Sequence, residues 1–462
     1  MIRIFRHYIS SAFLWLLVFE AVMFYFAMYL GSQVRFLYQT SWYSESDIVN
    51  ASLIFAAIFT LCNISLGLYR RNLGIHEYDL LARVSFSFGV GIFVVVSIYY
   101  IFPNFLIARS VLGVSIVFAF LGMMLIRYFF YRYAKIDRIK KQVLVVGSGN
   151  KAKELVELNS GYLHKSFNIA GFVALPGELC CIDEALLIKQ DKSLNEVAQD
   201  LNIDEIVLAI DDRRRGMPLT TLLDCKMSGF DVIDLVTFYE REQGLISLTN
   251  VYPSWFLFSD GFAVSGLRSI GKRFFDIVVS LILLAVAWPF MLMTSIAILI
   301  ESGIKAPIFY RQVRVGENNR NFEVIKFRSM VVDAEKNGAQ FAQEKDNRIT
   351  KVGAFIRKCR IDELPQIFNV LTGDMSFVGP RPERPEFVEG FVERIDYYAE
   401  RHRVKPGITG WAQISYQYGA SEDDTIRKLE YDLYYVKNYS LFLDISIILH
   451  TIEIVVWGKG AR

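Results

Sequence analysis

The sequence has few cysteines and almost no net charge. Its cysteines form neither a Cys-x-x-Cys pair nor a repeated spacing; they are Cys62, Cys180, Cys181, Cys225 and Cys359. A zinc site and a disulfide framework are therefore not indicated, and we expect reduced thiols in the cytosol or in buried positions. The 50 basic residues nearly balance the 48 acidic residues, which leaves a formal net charge of +2. This balance does not indicate a nucleic-acid partner, and none is predicted.

Apolar residues, in contrast, are abundant. Hydrophobic residues make up 53% of the chain and aromatic residues 15%, which is too apolar for an ordinary soluble protein. With 462 residues the chain exceeds what one core usually covers, so two or more domains are expected. Four apolar runs, each close to the about 20 residues that cross a bilayer, fill the first third: Ala12 to Leu30, Ile48 to Leu68, Val84 to Phe102 and Val111 to Phe130. We predict a four-helix transmembrane bundle over residues 1–134.

Basic residues lie mainly on one side of these runs. That side carries Arg3, Arg6, Arg70, Arg71, Arg83, Arg127, Arg132, Lys135, Arg138, Lys140 and Lys141, whereas Arg35 and Arg109 fall on the other side. By the positive-inside rule, the N-terminus and everything after Lys135 are cytoplasmic. Glu20 lies within the first span, where an acid is a functional candidate. A partner within the bundle is its favoured role.

The pattern of residues 135–250 predicts an α/β domain. A strand from Gln142 is followed by Gly147-x-Gly149-x-x-Ala152 and a helix from Lys153. This order resembles the first βα turn of a Rossmann unit, in which glycines let the backbone approach a pyrophosphate at a helix N-terminus. The turn therefore predicts a Rossmann-like unit but is a weak signal by itself.

Two further strands are predicted over Ile169–Val173 and Glu205–Ile210. The first of them is not followed by the acid that would hold an adenine ribose. We therefore expect a degenerate nucleotide-binding domain with a structural or regulatory role rather than a dehydrogenase. Arg213–Arg215 is interpreted as a solvated surface, with a membrane-facing or phosphate-binding role as the alternative. Residues 251–268 are treated as a connector.

A fifth apolar segment, Phe274 to Ile300, contains Pro289 near its middle, where proline kinks or breaks a helix. Basic residues flank both ends: Lys272 and Arg273 before it, and Lys305, Arg311, Arg314 and Arg320 after it. If both flanks obey the positive-inside rule, residues 272–300 enter the membrane and return as a broken, re-entrant helix. A plain span with a proline kink is the alternative, and it would place everything beyond residue 300 outside the cell.

The region that follows has the composition of a phosphate site. Lys326 and Arg328 alternate on a predicted strand, so they share one face; they suit a diphosphate, although exposed edge-strand charges are also common. Asp362 and Glu363 are adjacent, and Pro365 with the following apolar periodicity places Asp362 at a helix start that Gly373 ends. A helix cap is the alternative role for Asp362. Basic residues crowd the same stretch, namely Arg357, Arg360, Arg381, Arg384, Arg401, Arg403 and Lys405, and Asp374 adds a third acid. This set could bind a magnesium diphosphate.

From about Ser269 to the C-terminus, the chain resembles the bacterial polyprenyl-phosphate phosphoglycosyl transferases, a monotopic sugar transferase family. The resemblance rests on Lys-Phe-Arg-Ser-Met, on Arg357 with Ile-Asp-Glu-Leu-Pro-Gln-Ile-Phe-Asn-Val-Leu, on Gly-Asp-Met-Ser-Phe-Val-Gly-Pro-Arg-Pro, and on Lys405-Pro-Gly-Ile-Thr-Gly-Trp-Ala-Gln. The four spans and the Rossmann-like insert match the longer members, although long sugar-nucleotide dehydratases share a similar N-terminal half.

The resemblance implies a two-step transfer. It implies that Asp362 attacks the β-phosphorus of a UDP-sugar, releases UMP, and passes the phosphosugar to undecaprenyl phosphate, which predicts ping-pong kinetics. It further implies that Glu363 helps to hold Mg²⁺, that Arg357 and Arg381 surround the phosphates, and that Asp374 orients the site. Lys326, Arg328 and Arg401 complete the predicted substrate-binding set, with Asp362 as a second metal ligand.

The resemblance also implies the membrane arrangement. Pro289 matches the proline that breaks the family's re-entrant helix, but Trp288 stands where many members have a small residue. We expect a bacterial inner-membrane protein with an α+β catalytic domain over residues 269–462 on the cytoplasmic side, in contact with membrane lipid. The C-terminal Leu441–Trp457 has helical amphipathic spacing, with Asp444 and Glu453 opposite the apolar face. An interfacial helix and an ordinary core helix both fit it.

Some alternatives remain open at this stage. His402 is interpreted as structural rather than as a base. A non-catalytic membrane scaffold or nucleotide sensor of a polysaccharide complex would use the same bundle and α/β domain. A sugar-nucleotide dehydratase would need a Tyr-x-x-x-Lys motif, which occurs only as Tyr131 to Lys135, at a membrane exit. The sequence does not identify the sugar, and it leaves a homo-oligomer open.

Overall fold

The computed structural model describes most of the chain. The described residues are 2–4, 7–9, 11–36, 44–69, 77–102, 108–133, 140–161, 167–188, 192–212, 217–262, 266–303, 306–332, 348–416 and 421–457. They form two compact units, Met1–Ile4 with Tyr8–Glu242, and Phe5–His7 with Gln243–Arg462. Arg213–Arg215, Lys135 and Lys305, to which the sequence assigned roles, lie outside the described residues.

The first unit begins with a helical bundle. After the short strands β1 (Ile2–Ile4) and β2 (His7–Ile9), four long helices follow: α1 (Ser11–Phe36), α2 (Glu45–Ser65), α3 (Glu77–Ile101) and α4 (Arg109–Tyr133). Each contains a stretch long and apolar enough to cross a membrane. The four predicted transmembrane segments are therefore confirmed as helices of suitable length.

Charged and aromatic side chains fill the interior of the bundle. Phe59 packs against Phe24 and Phe55, with ring centroids 5.5 and 4.5 Å apart. Glu20 on α1 is buried and forms an ion pair with Arg127 on α4, with a distance of 2.7 Å between Oε1 and Nε. Glu20 therefore has the partner within the bundle that the sequence led us to favour, since an unpaired charge at this depth would be costly.

A parallel sheet follows the bundle in the first unit. Its strand order is β4–β3–β5–β6, with every neighbouring pair parallel. The elements are β3 (Lys141–Val146), α5 (Asn150–Gly161), β4 (Phe167–Val173), α6 (Leu194–Asp200), β5 (Glu205–Leu208), α7 (Leu219–Met227), β6 (Asp231–Asp234) and α8 (Leu235–Gln243). Alternation of strands and helices produces this layered α/β arrangement, so the coarse prediction for this region is confirmed.

The protein's own carboxylates occupy the glycine-containing turn between β3 and α5. Asp211 accepts hydrogen bonds from the N–H groups of Asn150 and Lys151 at 2.9 and 3.0 Å. Glu178 accepts from the N–H groups of Ser148 and Asp211 at 2.8 and 3.2 Å. In a dinucleotide-binding unit, a pyrophosphate takes the amide groups at this helix N-terminus. Here these carboxylates take that position.

The second unit is built on one long helix. After α9 (Pro253–Phe258), α10 (Gly266–Ser302) runs for 37 residues with Pro289 inside it. The helix continues through Pro289 rather than ending there, because a proline removes one backbone hydrogen bond and a helix can accommodate it as a kink. The sequence predicted a break at this position, and the re-entrant path of the helix stays a prediction.

The remaining elements of the second unit carry the predicted chemistry. They are β7 (Phe309–Val315), β8 (Asn321–Phe327), α11 (Lys351–Lys358), a 3₁₀ turn (Ile361–Glu363), α12 (Gln366–Thr372), β9 (Ser376–Val378), α13 (Pro385–Arg394), a second 3₁₀ turn (Tyr398–Arg403), β10 (Gly407–Thr409), α14 (Trp411–Ser415), α15 (Glu422–Asn438) and α16 (Leu441–Trp457). Strands β7 and β8 are antiparallel, and β9 and β10 are parallel.

An apolar cluster joins α10 to the elements of the site. We call it the α10 cluster; its buried members are Ala287, Met291, Ile298, Phe327 and Ile356. Ion pairs and hydrogen bonds hold both ends of α10 to the same unit. Lys272 contacts Asp444 at 2.8 Å, and the Glu301 carboxylate accepts hydrogen bonds from the first N–H groups of α11.

Helix α16 confirms the predicted element. Asp444 and Glu453 are buried, whereas Ile445 and Ile452 on its apolar face are exposed. The sequence left a core helix and an interfacial helix open, and the burial of both acids shows that the face opposite these apolar residues packs on the protein. The buried position of Asp444 has a physical cause, because Lys272 and the Tyr435 hydroxyl both bond to its carboxylate, and a buried charge needs such partners.

Candidate functional site

The second unit contains a cavity of about 480 Å³. Its walls come from β7, β8, α11, the 3₁₀ turn Ile361–Glu363, α13, α14 and α15. We call the two acids of this turn, Asp362 and Glu363, the dyad. Its basic lining residues are Arg314, Lys326, Arg328, Arg348, Arg357, Arg360, Arg381, Arg384, Arg401 and Lys428, and its acidic ones are Asp362, Glu363, Glu383 and Asp432. The excess of positive charge suits a ligand with several phosphate charges.

Asp362 and Glu363 reach this cavity from the 3₁₀ turn between α11 and α12. Arg360 has a left-handed backbone conformation (φ 57°), which turns the chain after α11. Helix α12 begins only at Gln366, with Pro365 at its N-cap position. The prediction that Asp362 starts this helix was therefore wrong, although Gly373 ends the helix as predicted, with φ at 98°.

Glu363 is held by basic side chains. Its Oε1 lies 2.9 Å from Arg381 Nη2, 3.2 Å from Lys326 Nζ and 3.9 Å from Arg360 Nη1. Burial would raise the pKa of Glu363, but the charges of Arg381, Lys326 and Arg360 outweigh it and hold the pKa well below its usual range. Glu363 is therefore an ionised carboxylate fixed in one position.

Asp362 has a different environment from its neighbour. It is 9% exposed, and its Oδ1 accepts no hydrogen bond from any residue that the structure describes. Burial and the charge of Glu363 raise the pKa of Asp362, although Lys326, Arg357 and Arg360 oppose this. A buried carboxylate oxygen without a hydrogen-bond donor has lost its hydration without compensation, so Asp362 is available to a ligand.

Three predicted cations line the cavity beside the dyad. Lys326 is the penultimate residue of β8, and burial lowers its pKa despite the nearby charge of Glu363. The two terminal nitrogens of Arg328 and the Nη1 of Arg357 are buried and have no hydrogen-bond partner among the described residues. Guanidinium groups in this state are suited to bind a phosphate that enters the cavity.

Arg401 lines the cavity, but its guanidinium is already bonded within the protein. Its Nη1 donates to the Tyr398 hydroxyl at 2.7 Å, and its Nη2 donates to the Arg381 carbonyl at 2.9 Å and to Asp432 Oδ2 at 2.7 Å. Arg401 was predicted to bind substrate phosphate, and this stays a prediction. Its terminal nitrogens bond to groups of the protein, and through the Arg381 carbonyl Arg401 supports a second cavity-lining arginine.

Two other residues singled out by the sequence lie elsewhere. Asp374 is exposed, accepts a hydrogen bond from the Thr372 hydroxyl at 2.8 Å, and is not among the described residues that line the cavity. His402 is buried, its Nδ1 lies 2.6 Å from Asn319 Oδ1, and burial lowers its pKa to about 3. A neutral, enclosed imidazole agrees with the structural role predicted for His402.

Other lining residues were not predicted as part of the site. Arg314 follows Tyr310 and Gln312 on one face of β7, and all three line the cavity. The alternation of a strand could have identified this face, because residues two apart point to the same side. Lys428 comes from α15, far along the chain, and no motif connects it to the dyad.

The fold and the cavity together define a class: a protein with membrane-length helices whose C-terminal unit combines two carboxylates with a cluster of cations. A model of the family described as bacterial sugar transferase matches residues 267–458. The chain belongs to this family and resembles the long form of its polyprenyl-phosphate phosphoglycosyl transferases.

Three relatives illustrate the match. The chain is 41% identical over 282 residues to the UDP-N-acetylgalactosamine-undecaprenyl-phosphate N-acetylgalactosaminephosphotransferase of Aeromonas hydrophila, covering 61% of this chain and 64% of the relative. It is 32% identical over 348 residues to the undecaprenyl-phosphate glucose phosphotransferase of Komagataeibacter xylinus, covering 70% and 60%. It is 30% identical over 450 residues to the galactosyl transferase CpsE of Streptococcus agalactiae, covering 91% and 95%. The chain thus matches less than two thirds of the length of the first two relatives.

Proposed function

We propose that the protein transfers a sugar 1-phosphate from a UDP-sugar to undecaprenyl phosphate and so begins the assembly of a surface polysaccharide. The observation that carries this proposal is the buried, unpartnered Oδ1 of Asp362 in a cavity lined by cations. Family membership and the activities for which the relatives are named support it. The sugar differs between these relatives, so the proposal names only the class of donor.

The reaction proceeds in two displacements at one phosphorus atom. In the first, a carboxylate oxygen of Asp362 bonds to the β-phosphorus of the donor, and the bond from that phosphorus to the bridging oxygen breaks, so UMP leaves. In the second, a phosphate oxygen of the lipid bonds to the same phosphorus and Asp362 departs as a carboxylate. Lys326, Arg357 and Arg381 stabilise the charge on the phosphate oxygens during both steps.

The covalent step is tested by Asp362→Asn. We expect this variant to release no UMP and to take no label from a donor that carries radioactive sugar. Asp396→Asn makes the same chemical change at an exposed residue and should retain both activities. Normal turnover by Asp362→Asn would refute the role of Asp362.

Mg²⁺ is the cofactor that we propose for the donor phosphates. It usually binds one or two carboxylates together with substrate phosphates and water, and Asp362 with Glu363 matches that donor set. Among the described residues no group of three or more His, Cys, Asp or Glu could hold a metal, so the proposal requires the donor to complete the shell. The ion would neutralise charge on the diphosphate.

The need for the ion is tested with EDTA, which removes divalent cations. EDTA should stop UMP release and added Mg²⁺ should restore it; full activity in EDTA would exclude a role for the ion.

We propose that the protein lies in the inner membrane with the second unit on the cytoplasmic face, where α10 enters and returns. The contacts at the two ends of α10 support this topology. Arg273 donates to the carbonyls of Val370 and Leu371, and Glu301 accepts from Lys351, so both ends are held by the same unit. A helix that crossed the bilayer would place its two ends on opposite faces of the membrane, where a unit on one face could not contact both.

Topology is tested with single cysteines in a chain whose five native cysteines are replaced by serine. Ser302→Cys lies at the exposed end of α10, and Tyr100→Cys lies at the exposed end of α3, on the side predicted to be periplasmic. A membrane-impermeant maleimide should label Ser302→Cys only in inside-out vesicles and Tyr100→Cys only in intact spheroplasts. Labelling of Ser302→Cys from the periplasm would overturn the re-entrant path.

The occupied turn of the α/β region supports the transferase over a dehydratase. A sugar-nucleotide dehydratase needs a turn open to a dinucleotide, whereas Asp211 and Glu178 bond to the amide groups of this turn.

A further inference from the structure

One side chain bridges the helix after the dyad and the strand that carries Lys326. Asn369 lies on α12 and is buried. Its Oδ1 accepts a hydrogen bond from the Ile325 N–H at 3.0 Å, and its Nδ2 donates to the Glu323 carbonyl at 2.7 Å. A single amide group therefore satisfies one donor and one acceptor on the same edge of β8.

This edge of β8 faces away from its partner strand. Strands β7 and β8 form a two-stranded sheet, so the backbone of β8 pairs on one side with β7. The Asn369 amide takes the place of a third strand on the other side, because it offers a carbonyl oxygen and N–H groups as a backbone does. Ile325 is followed directly by Lys326, whose Nζ lies 3.2 Å from Glu363 Oε1.

We propose that Asn369 is a positioning residue for the transfer reaction: by fixing β8 against α12, it sets the distance between Lys326 and Glu363. This inference rests on the proposed function. A displacement of about 1 Å near reacting groups can lower a rate about 100-fold. Loss of the tether should therefore lower kcat for UMP release about 10- to 100-fold per folded enzyme, with a smaller effect on the KM of the donor.

Asn369→Asp provides a readout that a purely structural role would not produce. A neutral aspartic acid reproduces the amide, because its carbonyl oxygen accepts from Ile325 and its O–H donates to Glu323, whereas the ionised form cannot donate. Burial raises the pKa of an introduced carboxyl. Two cations bond to carbonyl groups of α12 and its C-cap: Arg273 on α10 to Val370 and Leu371, and Lys405 before β10 to Gly373. The other charged groups on the elements packed against α12 are Arg268, Lys272, Asp276 and Glu301 on α10, and Glu323 and Lys326 on β8.

The full chain in detergent is assayed for UMP release at pH 5.5, 7 and 8.5. Each rate is divided by the folded fraction of the protein, taken from a thermal melt, and then by the rate of the wild type at the same pH; we call the result the relative rate. Asn369→Asp should have its highest relative rate at pH 5.5, and Asn369→Leu should be slow throughout. Thr372→Ala removes a hydrogen bond to the Asn369 carbonyl on the same helix and should match the wild type.

Two results would overturn the inference: an Asn369→Leu variant as fast as the wild type, or an Asn369→Asp variant equally slow at every pH. Either result leaves the proposed function intact, because the wild type still releases UMP. A wild type that releases no UMP would instead refute the proposed function.

Discussion

The ion pair of Arg401 with Asp432 allows a sharp test of what Arg401 does. Both side chains are buried, with Arg401 Nη2 and Asp432 Oδ2 2.7 Å apart. Removing one partner of a buried pair costs about 3–5 kcal/mol of unfolding free energy, whereas apolar replacement of both is often close to neutral. Arg401→Met should therefore lose about 3–5 kcal/mol, and the double variant Arg401→Met/Asp432→Leu should regain most of that loss.

The stability of these variants should also depend on pH with a defined sign. Burial raises the pKa of Asp432 to about 6 in the presence of Arg401, and loss of Arg401 would raise it further. A carboxyl whose folded pKa exceeds its unfolded value of about 3.9 stabilises the fold in its protonated form, so stability rises as pH falls through the folded pKa. The difference between the wild type and Arg401→Met should therefore narrow as the pH falls toward about 6, and should stay constant below it, because Asp432 is then protonated in both folded proteins.

Denaturant unfolding of the full chain in detergent measures the stability, and UMP release measures the function. Because the guanidinium donates to the Arg381 carbonyl, Arg401→Met should lower kcat more than it changes the KM of the donor. A rise in that KM of tenfold or more without loss of stability would show that Arg401 binds substrate phosphate. That result would contradict the role that its contacts indicate.

Three further predictions address other parts of the molecule. Met291→Ala opens a cavity in the α10 cluster, which typically costs about 2–5 kcal/mol of unfolding free energy, and it should slow UMP release. Met293→Ala makes the same change at a side chain that is 58% exposed, against 8% for Met291. An equal effect of both variants would refute the argument. The rate of UMP release should rise with pH as Asp362 ionises. Glu363→Gln should move that rise to lower pH, because the charge of Glu363 raises the pKa of Asp362. A shift of the pH–rate profile to higher pH would contradict this. Asp211→Ala frees amide groups at the start of α5 and should create binding of inorganic phosphate, which we expect calorimetry to detect in the variant and not in the wild type. NAD binding by the wild type would show instead that the turn is open.

The sequence identified those site residues that lie in compact motifs. Lys326, Arg328, Arg357 and Arg381 were predicted from motifs and line the cavity around the dyad. Asp374 was predicted on the same grounds but lies exposed on the surface. Proximity along the chain cannot separate these cases, because the seven residues of α12 lie between the dyad and Asp374 and span about 10 Å at ~1.5 Å per residue.

Helix α16 shows a second limit of sequence reasoning. Its periodicity separates an apolar face from one that carries Asp444 and Glu453, but periodicity does not say which face is buried. In an aqueous protein the apolar face turns inward, whereas at a membrane surface it can turn outward, so the sequence interpretation left a core helix and an interfacial helix open. Here Lys272 from α10 supplies the partner that keeps Asp444 buried, and this partner lies far away in the sequence.

The α10 cluster connects the membrane helix to the chemistry of the site. Phe327 and Ile356 are buried members of the cluster, and each is followed directly by a cavity-lining arginine, Arg328 or Arg357. Ile361 packs against the same cluster and is followed by Asp362. Three cavity residues thus take their positions from neighbours packed on α10. Because close-packed interiors transmit small displacements, movement of α10 in the bilayer would reach the proposed nucleophile and both arginines together. Under the proposed function and topology, this coupling gives a reason for the reaction to be built on α10: a helix in contact with the lipid acceptor would also support the groups that act on it.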